Sequence, residues 1–405
     1  MNMTTTTNAT ASQASVSESN RSRILQHLYH NGISSRAQIA QALGLTPAAI
    51  TKITARLLEA GVIAETGDFE GSKNRRSIGL ELDTTRFHVI GVKFARSLVQ
   101  VGVFDLAGKP LSVQELPKVS ENTIDESVAL LHGIIDDLRR KDPAVVAVGM
   151  AVPGPYLRDV GRTAVVSSMQ GWRKVNFLRE FADDSPLPLF VEQDARAGAL
   201  AQYLFDPNVT TDCLAYYLVG EGVGLGVIDH GALINGAQGA AAEIGHISID
   251  IHGKPCDCGN VGCLERYCST PAIHEMILEE GDLIPDATEL SHTEASRRLF
   301  AMAKDGNARA ERLVRQVART VGFGCVTVFN AFNPQHIVIG DIVAEAGPML
   351  LEEVRHVVDA HTIPELNTAT TISLSSLPAD AALNGAAAVA ITQFLTNPSL
   401  FFELT

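Results

Sequence analysis

The tightest constraint on this chain is a short stretch in which Cys256, Cys258 and Cys263 fall within eight residues, ten positions after His246. Three thiols and an imidazole at that spacing meet at one point only if the loop doubles back on itself, and Gly259 and Gly262 let it curl. Four soft ligands suit a tetrahedral Zn²⁺, and a full protein shell leaves no open position for water. The reading is one structural zinc per chain, held by His246, Cys256, Cys258 and Cys263 in a loop over 246–263; a reduced, metal-free cluster is the alternative. The other three cysteines, Cys213, Cys268 and Cys325, stand among apolar residues and are expected to be buried fillers. The start, MNMTTTTNATASQASVSESN, has no apolar segment of a secretory signal, and no run reaches the roughly 18–20 apolar residues of a membrane helix. A cytoplasmic protein without a membrane partner or a disulfide framework is expected.

A chain of 405 residues exceeds one ordinary core, so two or three domains are expected. The Ser/Thr/Asn-rich residues 1–19 read as a disordered tail. From residue 20 to 82 the pattern is a winged helix-turn-helix. Ile24, Leu25 and Leu28 recur at helical spacing up to Gly32, and Ser35 with Gln38 forms a capping-box signature. Gly44 supplies a turn, and Thr46 caps a third helix with Pro47 at its first position. In that helix Ile50, Ile53, Leu57 and Leu58 form the apolar stripe, which leaves Ala48, Thr51, Lys52 and Arg56 on the polar side. Two strands, 61–65 and 77–82, flank a polar wing with Lys73, Arg75 and Arg76.

Small and basic residues at the exposed start of a third helix suit a major groove. The DNA-contacting set is therefore Thr46, Ala48, Thr51, Lys52, Arg56, Lys73, Arg75 and Arg76, with double-stranded operator DNA as the partner. Residues 20–80 hold eight basic side chains against four acidic ones, although the whole chain carries −14. A basic head on an acidic body fits a DNA reader whose bulk stays off the phosphates. A helical protein-interaction module is the other reading of the same helices.

Residues 83–405 alternate apolar β-branched runs (HVIGVKF, VAVGMAV, LAYYLV, HIVIGD) with helical segments, as in an α/β fold with mixed sheets. The break Pro153-Gly154-Pro155 falls at a strand end, where ligand loops gather.

The stretch Val219-Gly220-Glu221-Gly222-Val223-Gly224-Leu225-Gly226, followed by Asn235-Gly236, Glu243-Ile244-Gly245-His246 and the Cys256 to Glu265 segment, resembles the ROK family of repressors, open reading frames and sugar kinases. With the winged helix ahead of it, the chain is similar to that family's branch of sugar-responsive repressors. The resemblance implies a two-lobed actin-like, ribonuclease-H-like sugar kinase fold and a sugar or sugar phosphate ligand. It implies ligand contacts from Gly154, Ser168, Gln193, Asp194, Glu243, His246 and Glu265. Asp194 matches the aspartate that takes the acceptor proton in the kinases, and Gly154 a loop that closes on the sugar. Gln193 and Ser168 stand where the family often has Asn. With one ring nitrogen on zinc, His246 has the other free to face a hydroxyl.

Where the kinase branch has Asp-x-Gly-Gly-Thr, this chain reads Lys93-Phe94-Ala95-Arg96-Ser97; Gly-Thr-Gly becomes Gly220-Glu221-Gly222, and a glycine pair becomes Gly340-Asp341. A cation and two added carboxylates at the phosphate loops are incompatible with the cradle phosphoryl transfer needs. The expectation is a repressor of sugar uptake or catabolism genes, not an enzyme, working as a homodimer or homotetramer. The rival reading is a ROK sugar kinase carrying an added DNA-binding head.

Overall fold

The computed structural model describes residues 13–70, 76–95, 98–164, 169–182, 186–377 and 381–402. Elements are numbered in chain order. The first group comprises α1 (Gln13–Asn31), β1 (Ser34–Ser35), α2 (Arg36–Leu43), α3 (Pro47–Glu59), β2 (Ile63–Glu70) and β3 (Arg76–Leu82). Local chemistry sets the turn. Ser35 Oγ accepts from Gln38 N at 3.3 Å while Gln38 Oε1 accepts from Ser35 N at 2.8 Å, the reciprocal capping box. Gly44, at φ +64°, closes α2 in the left-handed region. Thr46 Oγ1 then accepts from Ala49 N at 3.3 Å, with Pro47 at the first helical position. Ile50, Ile53 and Leu57 are buried as the stripe requires, and Leu58 is half-buried.

Two boundaries differ from expectation. Helix α1 begins at Gln13, inside the stretch expected to be a disordered tail, and residues 1–12 lie outside the described residues. A long-range tie holds that early turn: Glu18 pairs with Arg21 at 3.1 Å and accepts from the backbone of Ser399 at 2.9 Å. The wing strands also run further, to Glu70 and back from Arg76, across a bulge between Glu65 and Asp68. The two-residue β1 joins them in the order β1-β3-β2.

Next come β4 (His88–Phe94), β5 (Val99–Asp105), β6 (Pro110–Glu115), α4 (Ile124–Lys141), β7 (Val145–Val152), β8 (Tyr156–Leu157), β9 (Arg162–Thr163), α5 (Phe177–Ala182), β10 (Leu189–Gln193) and α6 (Asp194–Phe205). They are followed by β11 (Leu214–Val219), β12 (Val223–Asp229), β13 (Ala232–Leu233), α7 (Glu265–Cys268), α8 (Thr270–Glu279), α9 (His292–Lys304) and α10 (Ala308–Phe332). The chain closes with β14 (His336–Gly340), α11 (Pro348–His361), α12 (Pro364–Asn367), β15 (Thr371–Leu374) and α13 (Ala381–Thr396). Two five-stranded sheets result, ordered β10-β7-β4-β5-β6 and β13-β12-β11-β14-β15. Each combines an antiparallel meander with two parallel additions, so the two lobes repeat one plan.

Helix α13 is rich in small residues, and its backbone lies directly on the first sheet. A methyl group on Gly149 would sit 2.0 Å from the carbonyl oxygen of Ala386, and one on Gly91 would sit 3.1 Å from Ala387 N. On its other side Gly385 abuts the backbone of Ala197 and Gly198 in α6. The same helix shares a core with the N-terminal group: Leu383, Ala387, Ile391 and Phe394 are buried in one cluster with Ile24, Leu25, Leu28 and Leu57. The ring of His30, at the end of α1, also packs at a tilt against Tyr203 of α6 with centroids 5.0 Å apart. Because the obstacle at Gly149 is backbone, Gly149→Ala should lower unfolding stability by about 2–3 kcal/mol, checked by urea denaturation; a loss under half of that would mean the helix shifts freely. Among the described residues no helix is long and apolar enough to cross a membrane.

Candidate functional site

On the outer face of α3, Thr46, Ala48, Thr51 and Lys52 are exposed and Arg56 is half-buried, so five of the expected DNA-contacting side chains share one helix surface. The hydroxyl of Thr46 is engaged as the helix cap, and Thr51 Oγ1 donates to Pro47 O at 2.9 Å. Lys73 and Arg75 lie outside the described residues, as does the side chain of Arg76. The basic surplus of this region is partly internal. Arg36 reaches Glu65 at 2.9 Å and Thr54 at 3.3 Å, Arg23 donates to Leu43 O at 2.5 Å, and Arg21 holds Glu18. Three of the counted cations therefore brace the head itself.

The second cluster lies where β10 meets α6 and where the 243–265 segment crosses β12. Gln193 caps α6, its Oε1 accepting from Arg196 N at 3.0 Å, which leaves the Nε2 amide as the group it can offer. Asp194 is the first residue of α6, half-buried, with Oδ1 accepting from Ala195 N at 2.7 Å. Glu243 follows Ala242, whose φ of +69° is unusual for a residue with a side chain and marks a backbone held in place by its surroundings. Gly245 presses this turn onto β12: a methyl group there would lie 2.2 Å from Val223 O. Asp194 and Glu265 thus sit at helix starts rather than in open loops. Gly154 occupies the turn after β7, at φ +71°, and Ser168 lies outside the described residues.

Three carboxyl groups converge here. Burial raises the Glu243 carboxyl to about 7; Asp194 and Glu265 push the same way, and the Arg196 guanidinium opposes them. Beneath them is a pair that spacing alone could have flagged. Glu192 and Arg196, four residues apart, are both buried and bonded at 2.8 Å. Arg196 also donates to Ile234 O and to Asn235 Oδ1, both at 2.5 Å. Arg158, from the hairpin after the Gly154 turn, adds a 2.8 Å bond to Glu192 and a 3.2 Å bond to Asn235. Removing either partner of such a buried pair strands a charge, so the network holds the start of α6 against the 234–235 turn.

His246 and the three thiols also converge, with ligand atoms all within 4.8 Å of one another. Cys258 Sγ and Cys263 Sγ are 3.6 Å apart, and Cys256 Sγ lies 3.8 Å from His246 Nδ1. A zinc tetrahedron with arms of about 2.3 Å has sulfur–sulfur edges near 3.8 Å, whereas a disulfide closes to about 2.05 Å. Burial pushes the Cys256 and Cys263 thiols up, so thiolates here call for a cation. The donor set and its spacing fit Zn²⁺. Glu265 Oε1 sits 3.4 Å from Cys256 Sγ and 3.7 Å from His246 Nδ1, so the knot and the carboxylate cluster are one unit. Of the other cysteines, Cys268 and Cys325 are buried as expected. Cys213 is not: it is half-buried, with its sulfur 3.4 Å from Asp229 Oδ1 on the surface.

The substituted phosphate loops meet as well. A methyl on Gly220 would sit 2.4 Å from Asp341 Oδ2, and burial raises the Asp341 carboxyl against the pull of Lys93, with Glu221 and Glu345 adding to the rise. Charged side chains from the end of β4 and from two loops therefore influence one another here; Arg96 and Ser97 lie outside the described residues.

Comparison with known proteins bears on both clusters. The ROK family matches residues 89–393, and a winged helix-turn-helix DNA-binding family matches residues 17–64. The N-acetylglucosamine repressor of Escherichia coli O157:H7 is 30% identical over 388 residues, which span 92% of this chain and 93% of that protein. The crystal structure of a ROK family transcriptional regulator, a homologue of the E. coli Mlc protein, matches with a TM-score of 0.79 at 28% identity, over 95% of this chain and 98% of its own. A ROK family glucokinase from Streptomyces griseus, in complex with glucose and AMPPNP, matches at 0.64 and 26% identity over 74% of this chain and 98% of its own.

Proposed function

The chain belongs to the ROK family, and on that premise we propose that it is a DNA-binding repressor of carbohydrate genes, released or tuned by a sugar or sugar phosphate. Its architecture is a winged helix-turn-helix joined to the two-lobed α/β fold of ROK sugar kinases. Residues 20–82 form the head that reads operator DNA in the cytoplasm, and residues 83–405 form the body that binds the effector and oligomerises as a dimer or tetramer. The exposed start of α3 enters the major groove through Thr46, Ala48, Thr51 and Lys52, with Arg56 and the wing cations Lys73, Arg75 and Arg76 on the backbone. Asp194, Glu243 and Glu265 accept from sugar hydroxyls, aided by His246, Gln193, Ser168 and the Gly154 turn. One Zn²⁺ held by His246, Cys256, Cys258 and Cys263 supplies structural cross-linking, which fixes the loop carrying Glu265.

The observation that carries this reading is that a carboxylate cluster suited to hydroxyls is kept while the phosphate loops beside it hold Glu221 and Asp341. Such a site binds a polyol and repels a nucleotide. The test is selection of operator duplexes from random DNA by the full chain, then their displacement by N-acetylglucosamine, glucose and the corresponding 6-phosphates. Release by one of them is expected; sugar-dependent turnover of ATP would overturn the reading. Lys52→Ala should weaken operator binding about tenfold and reduce the salt slope by about one per head engaged, measured by anisotropy across a salt series. An unchanged slope would take α3 off the DNA.

A further inference from the structure

At the far end of β11 and β12 lies a second group of soft and hard donors, well apart in sequence from the zinc knot. Register pairs Leu214 with Ile228, which brings the preceding Cys213 beside Asp229. The strand then reverses through His230 and Gly231, at φ +48° and +75°, before Ala232 pairs back to Asp229. A two-residue hairpin of this kind needs positive φ at both central positions, and His pays some strain to occupy the first. The turn is pinned to the neighbouring loop, where Gly231 N donates to Asp212 O at 3.1 Å and Cys213 N donates to Thr211 Oγ1 at 3.1 Å.

Three donors face one another across this corner, with Asp229 beside them. Cys213 Sγ is 3.4 Å from Asp229 Oδ1, His230 Nδ1 is 3.6 Å from Asp212 Oδ2, and His230 Nε2 is 3.8 Å from Asp229 Oδ1. The ligand atoms of Asp212, Cys213 and His230 all lie within 4.8 Å of one another. Around a tetrahedral ion with ordinary metal–sulfur, metal–nitrogen and metal–oxygen arms, sulfur–oxygen and nitrogen–oxygen edges are about 3.4–3.6 Å. Thiolate, imidazole and carboxylate together favour a borderline transition metal over magnesium or calcium. Two carboxylates at this corner also carry a negative charge that a divalent cation would balance.

We propose that Asp212, Cys213 and His230, with Asp229 alongside, form a second, surface-accessible site for a divalent transition metal such as Zn²⁺ or Co²⁺. The site stands next to the seam with the head: the Tyr203 ring that packs against His30 also places its hydroxyl 3.1 Å from where a side chain on Gly231 would begin.

The experiment is a Co²⁺ titration of the full-length, zinc-loaded chain, read by thiolate-to-cobalt charge transfer and by metal content after gel filtration. The wild type is expected to take up one cobalt with a charge-transfer band that is absent in Cys213→Ser and at least tenfold harder to saturate in His230→Ala. Both variants should keep their original zinc. The band appearing equally in wild type and Cys213→Ser, or in neither, would overturn the site.

Discussion

Asp194→Ala is expected to leave operator affinity within about twofold of the wild type while removing the ability of sugar to release the DNA. The side chain is half-buried on the first turn of α6, and its Oδ1 accepts from Ala195 N. A charged acceptor contributes roughly 1.5–3 kcal/mol per hydrogen bond to a ligand. Losing two bonds to hydroxyls therefore costs on the order of 3 kcal/mol, about a hundredfold in sugar affinity. A ligand shifts a two-state protein only by its differential affinity for the two states, so release fails with binding. Anisotropy of labelled operator, with and without the releasing sugar, separates the two effects. If DNA affinity falls in parallel with the response, Asp194 supports the fold rather than the ligand.

Cys258→Ser should strip most of the zinc and abolish the sugar response in the same variant. A structural zinc contributes folding free energy directly, roughly 10 kcal/mol or more in small peptides, and a lost thiolate forfeits a large part of it. Here the damage is carried to the cleft by short connections. Glu265 lies two residues beyond Cys263, its Oε1 is 3.4 Å from Cys256 Sγ, and His246 belongs to both clusters. A fall in melting temperature of about 4–5 °C is expected alongside, since the unfolding entropy of a body of this size converts roughly 3 kcal/mol into that shift. Zinc quantification, thermal melting and sugar-dependent DNA release on one preparation test the coupling. A zinc-free protein that still answers sugar would separate the knot from the cleft.

What could be read from the sequence was whatever chemistry is local. The capping box at Ser35 and Gln38, the left-handed Gly44 and the Thr46-Pro47 helix start depend on neighbours three or four residues away, and each stands as the pattern predicts. The Cys256 to Cys263 spacing is likewise its own signal. What could not be read is fixed by distant partners. Helix α1 starts early because Glu18 meets Ser399 from the other end of the chain. Arg36 counts toward the basic surplus of residues 20–80, but Glu65 and Thr54 hold it. The Glu192–Arg196 pair has helical spacing, yet its reach to Asn235 and Arg158 depends on how two loops meet. Cys213 has apolar neighbours in sequence, and only strand register sets it beside Asp229 on the surface.

The shared core of α13 and α1 has a consequence for how the protein would act on DNA. Ordinary bacterial regulators often hang their reading module on a tether whose slack dissipates any rotation below it. Here Leu383, Ala387 and Phe394 interlock with Ile24 and Leu28 while the same helix rests on Gly149 of the first sheet and, through its own Gly385, on α6. Small angular changes between the lobes would then be transmitted as by a stiff crank, arriving at α3 as a change in its orientation.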